Sequence, residues 1–414
     1  ISYAGSPRLY EEQPVRVLVT IFEKLIPISG GGTPRISNLV KAFVARGHEV
    51  YVASSIAVSR EEAIDRYGCA HWLPIQGVNR LGRWKMPKYM VAFPFNILRV
   101  TNYARRLKPD LIVSHNSIAG YSALLAKGFH PQTLALLDLT DLLFEYLEDY
   151  PSRWLGAILS VGRKMERTAI SDSDKIITIS QAMKGIACRF GARPQDIDVV
   201  PDGVDTNIFK KINGDDLRQK YTRGADHVLI FHGVIDPQDH PELLVEAARL
   251  VVERCPKTAF WMVGGGTAVP YLKERVARYG LDDHFHFSGW VPQEEVPRYI
   301  SASDLGLVIL PDVLSARGRV TLKEFEYWAC GVPSILPRLP ALEEVMEEGE
   351  EGLFYTPGDH RDLADKVCSL LTNDVRRKEL GTRGLQKVRE KFEWRSLAER
   401  FVRLCEGYLE SKTT

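Results

Sequence analysis

The chain repeats one pattern of apolar runs twice, and this repeat restricts its fold more than any other feature. An apolar, β-branched run at 15–22 is followed by Gly30, Gly31 and Gly32 and then by a helical pattern. A second apolar run at 227–231 is followed by a predicted helix at 241–253. Strands that alternate with amphipathic helices are typical of parallel, doubly wound sheets. The sequence therefore predicts an α/β fold with two Rossmann-like domains.

Length and turn residues place the boundary between these two domains. A chain of 414 residues fits two domains, since roughly 150 residues per domain is a common size. The segment 201–205, Pro-Asp-Gly-Val-Asp, reads as a turn between the two series. We predict a first domain at 1–204, a second at 205–393, and a central cleft that both face. Further strands are predicted at 49–53, 111–114, 134–137, 175–179, 259–263, 284–288 and 305–310.

The charge balance argues against nucleic acid as a partner. The chain has 54 basic and 53 acidic residues, so no overall field attracts a polyanion. No apolar run approaches the ~20 residues that span a bilayer, and the amino-terminal residues lack a signal-peptide core. The six cysteines are widely spread, which is typical of reduced thiols. We therefore expect a cytoplasmic protein.

One motif near the end of the second series connects the fold to a function. Residues 323–333, Lys-Glu-Phe-Glu-Tyr-Trp-Ala-Cys-Gly-Val-Pro, place Glu326 in a short apolar helix after strand 305–310. The carboxyl ends of such strands bind nucleotides. The motif resembles the donor-binding signature of family 4 retaining glycosyltransferases of the GT-B fold, in its Lys-x-x-Glu-Tyr variant. The resemblance implies that Glu326 holds the ribose hydroxyls of a nucleotide-sugar. Helix capping by Glu326 is the alternative.

Four other segments carry the same resemblance in the same order along the chain. They are Pro109-Asp-Leu-Ile-Val-Ser-His115, the hinge-like 201–205, the glycine-rich 260–266 and Phe287-Ser-Gly-Trp-Val291. The resemblance implies that His115 lies beside the reacting sugar and that backbone near Val291 reads the base. It also implies that a helix at 394–414 returns to complete the first domain. A purely structural role for His115 is the alternative.

The resemblance, together with the charges of the loop before Glu326, predicts a donor site and a catalytic set. The predicted donor-binding residues are Gly31, Gly32, Gly233, Gly265, Val291, Arg317, Arg319, Thr321, Leu322, Lys323 and Glu326. The predicted catalytic residues are His115, Lys323 and Glu326. The glycines 30–32 also suit a simple tight turn.

Three positions depart from the family pattern. Val234 and Asp239 stand where many members carry the arginine and lysine that neutralise the leaving diphosphate, and Gly318 stands for a second glutamate. A leaving diphosphate needs positive charge or aligned dipoles. We predict that Arg317, Arg319 and Lys323 supply it, since guanidinium groups grip phosphate oxygens well. His232 and His240 are weaker candidates. A solvated basic loop is the alternative.

Two further groups of residues allow two interpretations each. Asp138, Asp141 and Glu145 follow a predicted strand and suit either acceptor-hydroxyl binding or helix capping. Residues 80–89 interleave basic and aromatic side chains, which suits peripheral contact with an anionic membrane surface or a solvated charge run.

These observations lead to one functional prediction. We expect a retaining glycosyltransferase that moves a sugar from a nucleoside diphosphate donor to a glycan, lipid-linked or small-molecule acceptor. A UDP-sugar is favoured and a GDP-sugar comes next, on family frequency. No metal or other cofactor is expected, and the inner face of the membrane is an alternative location. A GT-B epimerase or phosphorylase, or a degenerate protein that only binds nucleotide-sugars, is the alternative function.

Overall fold

The structure is a computed structural model, and it describes residues 14–26, 32–56, 60–68, 71–75, 85–145 and 156–413. The chain divides into two compact units. The first comprises Ile1–Val200 together with Arg395–Thr414, and the second comprises Pro201–Trp394.

The first unit alternates strands and helices along the chain. Its strands are β1 (Arg16–Ile26), β2 (Glu49–Ile56), β3 (His71–Pro74), β4 (Leu111–His115), β5 (Leu134–Leu139), β6 (Lys175–Thr178) and β7 (Ile197–Val199). Its helices up to Val200 are α1 (Gly32–Ala45), α2 (Arg60–Tyr67), α3 (Lys85–Leu107), α4 (Asn116–Lys127), α5 (Gly156–Asp172) and α6 (Gln181–Arg189).

These strands form one parallel sheet in the order β3-β2-β1-β4-β5-β6-β7. The order reverses direction between β1 and β4. Ligands of open α/β sheets bind at such a switch point, beyond the carboxyl ends of the strands. His115 is the last residue of β4, and Gly32 begins the helix after β1.

The second unit repeats the arrangement. Its strands are β8 (His227–Val234), β9 (Thr258–Gly265), β10 (Phe285–Gly289), β11 (Leu305–Leu307), β12 (Ser334–Pro337) and β13 (Gly352–Tyr355). Its helices are α7 (Asp215–Tyr221), α8 (Glu242–Arg254), α9 (Val269–Arg278), α10 (Val296–Ser301), α11 (Leu314–Arg317), α12 (Lys323–Ala329), α13 (Pro340–Glu343), α14 (His360–Leu371) and α15 (Asp374–Lys391).

The second sheet is also parallel, in the order β10-β9-β8-β11-β12-β13. Its switch point lies between β8 and β11. Every residue of β9 is buried, as expected for a central parallel strand that helices cover on both faces. Helix α8 buries Leu244, Val245, Ala248 and Val251 against this sheet, which is the apolar stripe of an amphipathic helix.

A final helix, α16 (Trp394–Thr413), belongs almost entirely to the first unit. Glu406 accepts hydrogen bonds from Arg46 Nε and Nη2, each at 2.7 Å. Tyr408 donates to the Asp198 carboxylate at 2.5 Å. Lys412 Nζ donates to the backbone carbonyl of Gln132 at 2.9 Å. The carboxyl-terminal half of the helix therefore joins the first unit through polar contacts.

Several elements differ from the sequence prediction. Strand β1 continues to Ile26, past the predicted end at residue 22, and β11 ends at Leu307, before the predicted residue 310. The four short strands β3, β7, β12 and β13 were not predicted. In the part of the chain that the structure describes, no helix is both long enough and apolar enough to cross a bilayer.

Candidate active site

Tyr327 fixes helix α12 at the switch point of the second sheet. Its side chain is fully buried, and its hydroxyl donates to the carbonyls of Ile230 at 3.2 Å and Leu307 at 3.1 Å. Its ring lies over Gly306, where an added Cβ would stand 2.3 Å from the ring. These contacts join α12 to β8 and β11, so the neighbouring Glu326 is held at the strand ends.

Glu326 occupies a desolvated position in this unit. Its Oε2 lies 3.2 Å from Nε2 of His232, and both side chains are largely buried. Burial raises the pKa of Glu326 to about 8, with Glu324 adding to the effect and Lys323 opposing it. Burial likewise lowers the pKa of His232 to about 3, assisted by the charge of Lys323. A desolvated carboxyl group interacts strongly with any hydroxyl that reaches it.

The helix-capping contacts belong to Glu324, not to Glu326. Glu324 is fully buried and accepts a hydrogen bond from the backbone N–H of Thr321 at 2.8 Å, and also from the Thr321 hydroxyl. This is the reach-back contact of a capping box. Thr321 and Leu322 are half-buried and lie immediately before α12.

Lys323 places a cation against the glycine that precedes the end of β8. A Cβ on Gly233 would lie 3.5 Å from Lys323 Cε, and Nζ stands 5.4 Å from the centroid of the Phe231 ring. Within the described ranges, Lys323 Nζ makes no hydrogen bond or ion pair. Burial lowers the pKa of Lys323, while the charge of Asp239 acts in the opposite direction.

The two arginines before α12 have different surroundings. Arg317 is exposed and pairs with Asp312 at 2.5 Å. Arg319 is largely buried and pairs with Asp239 at 2.7 Å. Asp239 stands where many family members carry lysine, so the acid at that position is neutralised by an arginine from the following loop. Of the three predicted cations, Lys323 and Arg319 lie together and Arg317 faces solvent.

Glycines let the ends of β8 and β9 approach each other closely. Gly264 has φ +132°, and a Cβ there would lie 2.0 Å from the carbonyl oxygen of Gly233. A Cβ on Gly265 would lie 2.7 Å from Nε1 of Trp290, which is an exposed side chain. Val291 follows Trp290 and is half-buried. The predicted residues Gly233, Gly265 and Val291 therefore sit at the carboxyl edge of adjacent strands.

The first unit holds His115 in a buried polar cluster. His115 Nδ1 lies 3.0 Å from Asp138 Oδ2, and Arg35 Nε donates to Asp138 Oδ1 at 2.8 Å. All three side chains are buried. Burial alone would raise the pKa of Asp138, but the charge of Arg35 and the hydrogen bond with His115 outweigh it, and the pKa is lowered. The ionised carboxylate selects the His115 tautomer that carries its proton on Nδ1.

Gly32 makes room for the His115 ring. A Cβ at position 32 would lie 2.1 Å from His115 Nε2 and 3.0 Å from Cε1. The first residue of α1 must therefore lack a side chain for His115 to keep its position. Gly31 lies outside the described residues.

The three acids after β5 are placed differently from one another. Asp138 is fully buried beneath His115, whereas Asp141 and Glu145 are half-buried. Asn116 has φ +61°, and its Oδ1 accepts from the backbone N–H groups of Thr140 at 2.9 Å and Asp141 at 3.0 Å. The residue after His115 thus holds the segment that carries Asp141.

Sequence reasoning missed Arg35 and Asn116, and it considered His232 only as a weaker countercharge for the diphosphate. His232 sits one residue before a glycine at a strand end, which is the same kind of signal that identified His115. Arg35 gave no local signal, because its partner Asp138 lies 103 residues away. A left-handed Asn116 is visible only in the backbone.

Two other predictions concern the stretch 80–89 and metal binding. Of the basic and aromatic stretch 80–89, residues 80–84 lie outside the described residues, and 85–89 form the start of α3. Among the described side chains, no group of three or more His, Cys, Asp or Glu residues could hold a metal ion.

Two family descriptions match consecutive parts of this chain. "Glycosyltransferase Family 4" matches residues 29–208, and "Glycosyl transferases group 1" matches residues 226–373. A D-inositol 3-phosphate glycosyltransferase of Kribbella flavida is 25% identical over 339 residues, covering 77% of this chain and 76% of that protein. A GDP-mannose-dependent alpha-(1-6)-phosphatidylinositol monomannoside mannosyltransferase of Mycolicibacterium smegmatis is 25% identical over 263 residues, covering 62% and 68%.

Solved structures agree on the fold. Sucrose-phosphate synthase from Thermosynechococcus elongatus superposes with a TM-score of 0.80 at 18% identity, covering 97% of this chain and 100% of that one. Anabaena HepE in complex with UDP and glucose gives a TM-score of 0.73 at 17% identity, covering 95% and 99%. With the two parallel sheets and the two matched domains, these likenesses identify the chain as a glycosyltransferase of the GT-B fold, with a Family 4 domain followed by a group 1 domain.

Proposed function

We propose that this enzyme transfers a sugar, with retention of anomeric configuration, from a nucleoside diphosphate donor to a saccharide, lipid-linked or small-molecule acceptor. The observation that carries the proposal is the desolvated Glu326 carboxyl group at the switch point of the second sheet, on the same helix as Lys323. A UDP-sugar is the first candidate donor and a GDP-sugar the second. The UDP complexes of Anabaena HepE and the GDP-mannose-dependent mycobacterial relative support these two bases.

The second unit offers groups suited to the nucleotide. Glu326 accepts hydrogen bonds from the ribose hydroxyls, because a buried carboxylate is a strong acceptor. Lys323 and Arg319 face the diphosphate and stabilise the charge that develops on it as the sugar leaves. Arg317, which is exposed and paired with Asp312, contributes little. Backbone at Gly233, Gly265 and Val291 packs against the donor.

The first unit offers groups suited to the sugar and the acceptor. His115 hydrogen-bonds the donor sugar through Nε2, while Asp138 orients the ring. Asp141 and Glu145 bind acceptor hydroxyls. Residues 80–89 meet an anionic membrane surface if the acceptor is lipid-linked, and the alternation of basic and aromatic residues supports that contact. The proposal requires no metal ion.

Ligand-dependent thermal stability tests the donor assignment. Each of UDP-, GDP- and ADP-sugars is added at graded concentrations, and the melting temperature is recorded. A true donor at 100 times its dissociation constant stabilises the folded state by about 2.7 kcal/mol. No stabilisation by any of the three would contradict the proposal.

The substitution Glu326→Ala tests the proposed role of Glu326. Charge-assisted hydrogen bonds contribute about 1.5–3 kcal/mol each, so we expect Glu326→Ala to weaken binding of the nucleoside diphosphate at least tenfold. Glu294→Ala, at an exposed acid of the same unit, is the matched control. Unchanged affinity of the folded Glu326→Ala protein by calorimetry would show that the ribose is held elsewhere.

A further inference from the structure

His232 is a buried histidine whose ring is fixed beside the proposed ribose site. It lies in β8 immediately before Gly233 and is 5% exposed. Its ring meets the Tyr327 ring edge-on, with centroids 5.0 Å apart and an interplanar angle of 86°. Because Tyr327 is itself anchored to the strands, the His232 ring has little freedom to turn.

The ring nitrogen Nε2 of His232 is the feature that requires an explanation. It is buried and makes no hydrogen bond of good geometry with the described residues. Glu326 Oε2 nevertheless lies 3.2 Å away, which is within hydrogen-bonding distance but not along a linear approach. A buried ring nitrogen without a partner costs about 1–3 kcal/mol. A small rotation of the Glu326 carboxyl group would remove that cost.

The pair has two arrangements near neutral pH, and they differ by one proton. Burial keeps His232 neutral and favours the protonated form of Glu326. Either the neutral ring carries its proton on Nε2 and faces an ionised carboxylate, or it carries its proton on Nδ1 and Nε2 accepts a hydrogen bond from the protonated carboxyl group. Only the first arrangement gives the second oxygen the charge of a carboxylate, which makes it the stronger acceptor for two ribose hydroxyls.

The surroundings favour that first arrangement when a nucleotide is present. On α12, Lys323 favours the carboxylate form and Glu324 disfavours it. Asp239 and Arg319 pair with each other and so largely cancel. Hydrogen bonds from two ribose hydroxyls act in the same direction as the charge of Lys323, and together they stabilise the ionised carboxylate of Glu326.

Resting on the proposed function, we infer that His232 is a positioning residue for ribose recognition. Its Nε2–H donates to one carboxylate oxygen of Glu326 and turns the other towards the 2′- and 3′-hydroxyls. The pair therefore gives the enzyme its preference for ribonucleotides over 2′-deoxyribonucleotides.

The test compares UDP with 2′-deoxy-UDP, and GDP with 2′-deoxy-GDP, by calorimetry on the full chain. The loss of one charge-assisted bond predicts a roughly 10- to 100-fold preference for the ribonucleotide in the unaltered enzyme. His232→Leu removes the donor, and we expect the preference to fall by about tenfold. His232→Gln carries an amide N–H near the position of Nε2, so we expect it to keep most of the preference.

A matched control and a second variant make the outcome decisive. His286 lies in β10 of the same sheet, stacks on Tyr221 and also has a buried ring nitrogen without a hydrogen-bond partner among the described residues. His286→Leu should leave the preference unchanged. If His232→Leu does not fold, His232→Asn gives the same comparison, because its amide is too short to reach Glu326. An unchanged preference in His232→Leu or His232→Asn would overturn the inference, as would equal losses for both nucleotides.

Failure of this inference is distinguishable from failure of the proposed function. If Glu326→Ala abolishes the preference and the His232 variants do not, only the positioning role is wrong. If Glu326→Ala leaves the preference intact, or if neither UDP nor GDP binds, the ribose role of Glu326 fails and the inference fails with it.

Discussion

A single methyl group added at Gly32 should displace His115 from its position. The added Cβ would lie 2.1 Å from His115 Nε2, whereas carbon and nitrogen atoms that do not bond to each other stay about 3.4 Å or more apart. Gly32 is not among the residues with a left-handed backbone, so alanine is conformationally allowed there. The ring must therefore move by about 1 Å or more.

The size of the effect of Gly32→Ala follows from the contacts that hold the His115 ring. His115 is hydrogen-bonded to Asp138 at 3.0 Å, so a displaced ring loses that bond or strains it. Overpacking of this kind costs about 1–3 kcal/mol of stability. Misplacement of a substrate-positioning group by about 1 Å costs roughly 100-fold in rate. We expect Gly32→Ala to lower kcat by about that factor and to leave UDP affinity within twofold.

The assay measures nucleoside diphosphate release from the donor sugar, with UDP affinity measured separately by calorimetry. Gly185→Ala is the matched control, because Gly185 lies in helix α6 of the same unit and an added Cβ meets nothing within 4 Å. His115→Ala should itself lower turnover far more than UDP affinity. Because it also removes the obstructing ring, adding Gly32→Ala to it should cause no further loss.

Two results would refute the reasoning. Full turnover in Gly32→Ala would mean that the ring position does not matter to the chemistry. A further loss in the double variant, equal to that in the unaltered background, would mean that the methyl group acts through some contact other than His115.

Three further predictions concern the second unit. Lys323→Met should weaken UDP at least tenfold more than uridine, because only UDP carries the diphosphate, whereas Arg317→Met at the exposed pair with Asp312 should change neither. Equal losses for both ligands by calorimetry would contradict the assignment. Burial raises the pKa of Glu326 to about 8 in the unliganded enzyme, and the ribose contact proposed for it needs the carboxylate. UDP-sugar affinity should therefore rise from pH 6 to 8 by up to tenfold per unit and then level off; a flat or falling profile would exclude this linkage. Tyr327→Phe should lower the free energy of unfolding in urea by about 1–3 kcal/mol, since two buried carbonyls lose their hydroxyl donor; an unchanged midpoint would show that these contacts are dispensable.

The sequence predicts central strands better than edge strands for a physical reason. Strands β4 and β9 are buried along their whole length, so they appear as continuous apolar runs. Strand β7 has only three residues, and β3 mixes exposed and buried positions in four. Runs this short do not establish a period. The two sheets were therefore predictable, whereas their edges were not.

Some residues of the candidate site were likewise predictable from local sequence, and others were not. His115 was predicted from its place at the end of an apolar strand, and Glu326 from its motif in the helix that follows strand 305–310. The pairing of Asp138 with Arg35 joins residues 103 positions apart, and no local pattern encodes it. Arg317 and Arg319 looked equivalent in sequence, but one pairs with a neighbour five residues away and the other with Asp239, 80 residues away. Tertiary contacts alone determine which of these two arginines stays near the strand ends.

The return of α16 to the first unit has a consequence for synthesis on the ribosome. The second unit, Pro201–Trp394, is one continuous stretch, whereas the first needs residues from both before and after it. Chains emerge from their amino terminus, and domains generally fold as units. The second unit can thus finish folding while Arg46 of the first still awaits Glu406. The portion of the enzyme made first is the last to be completed.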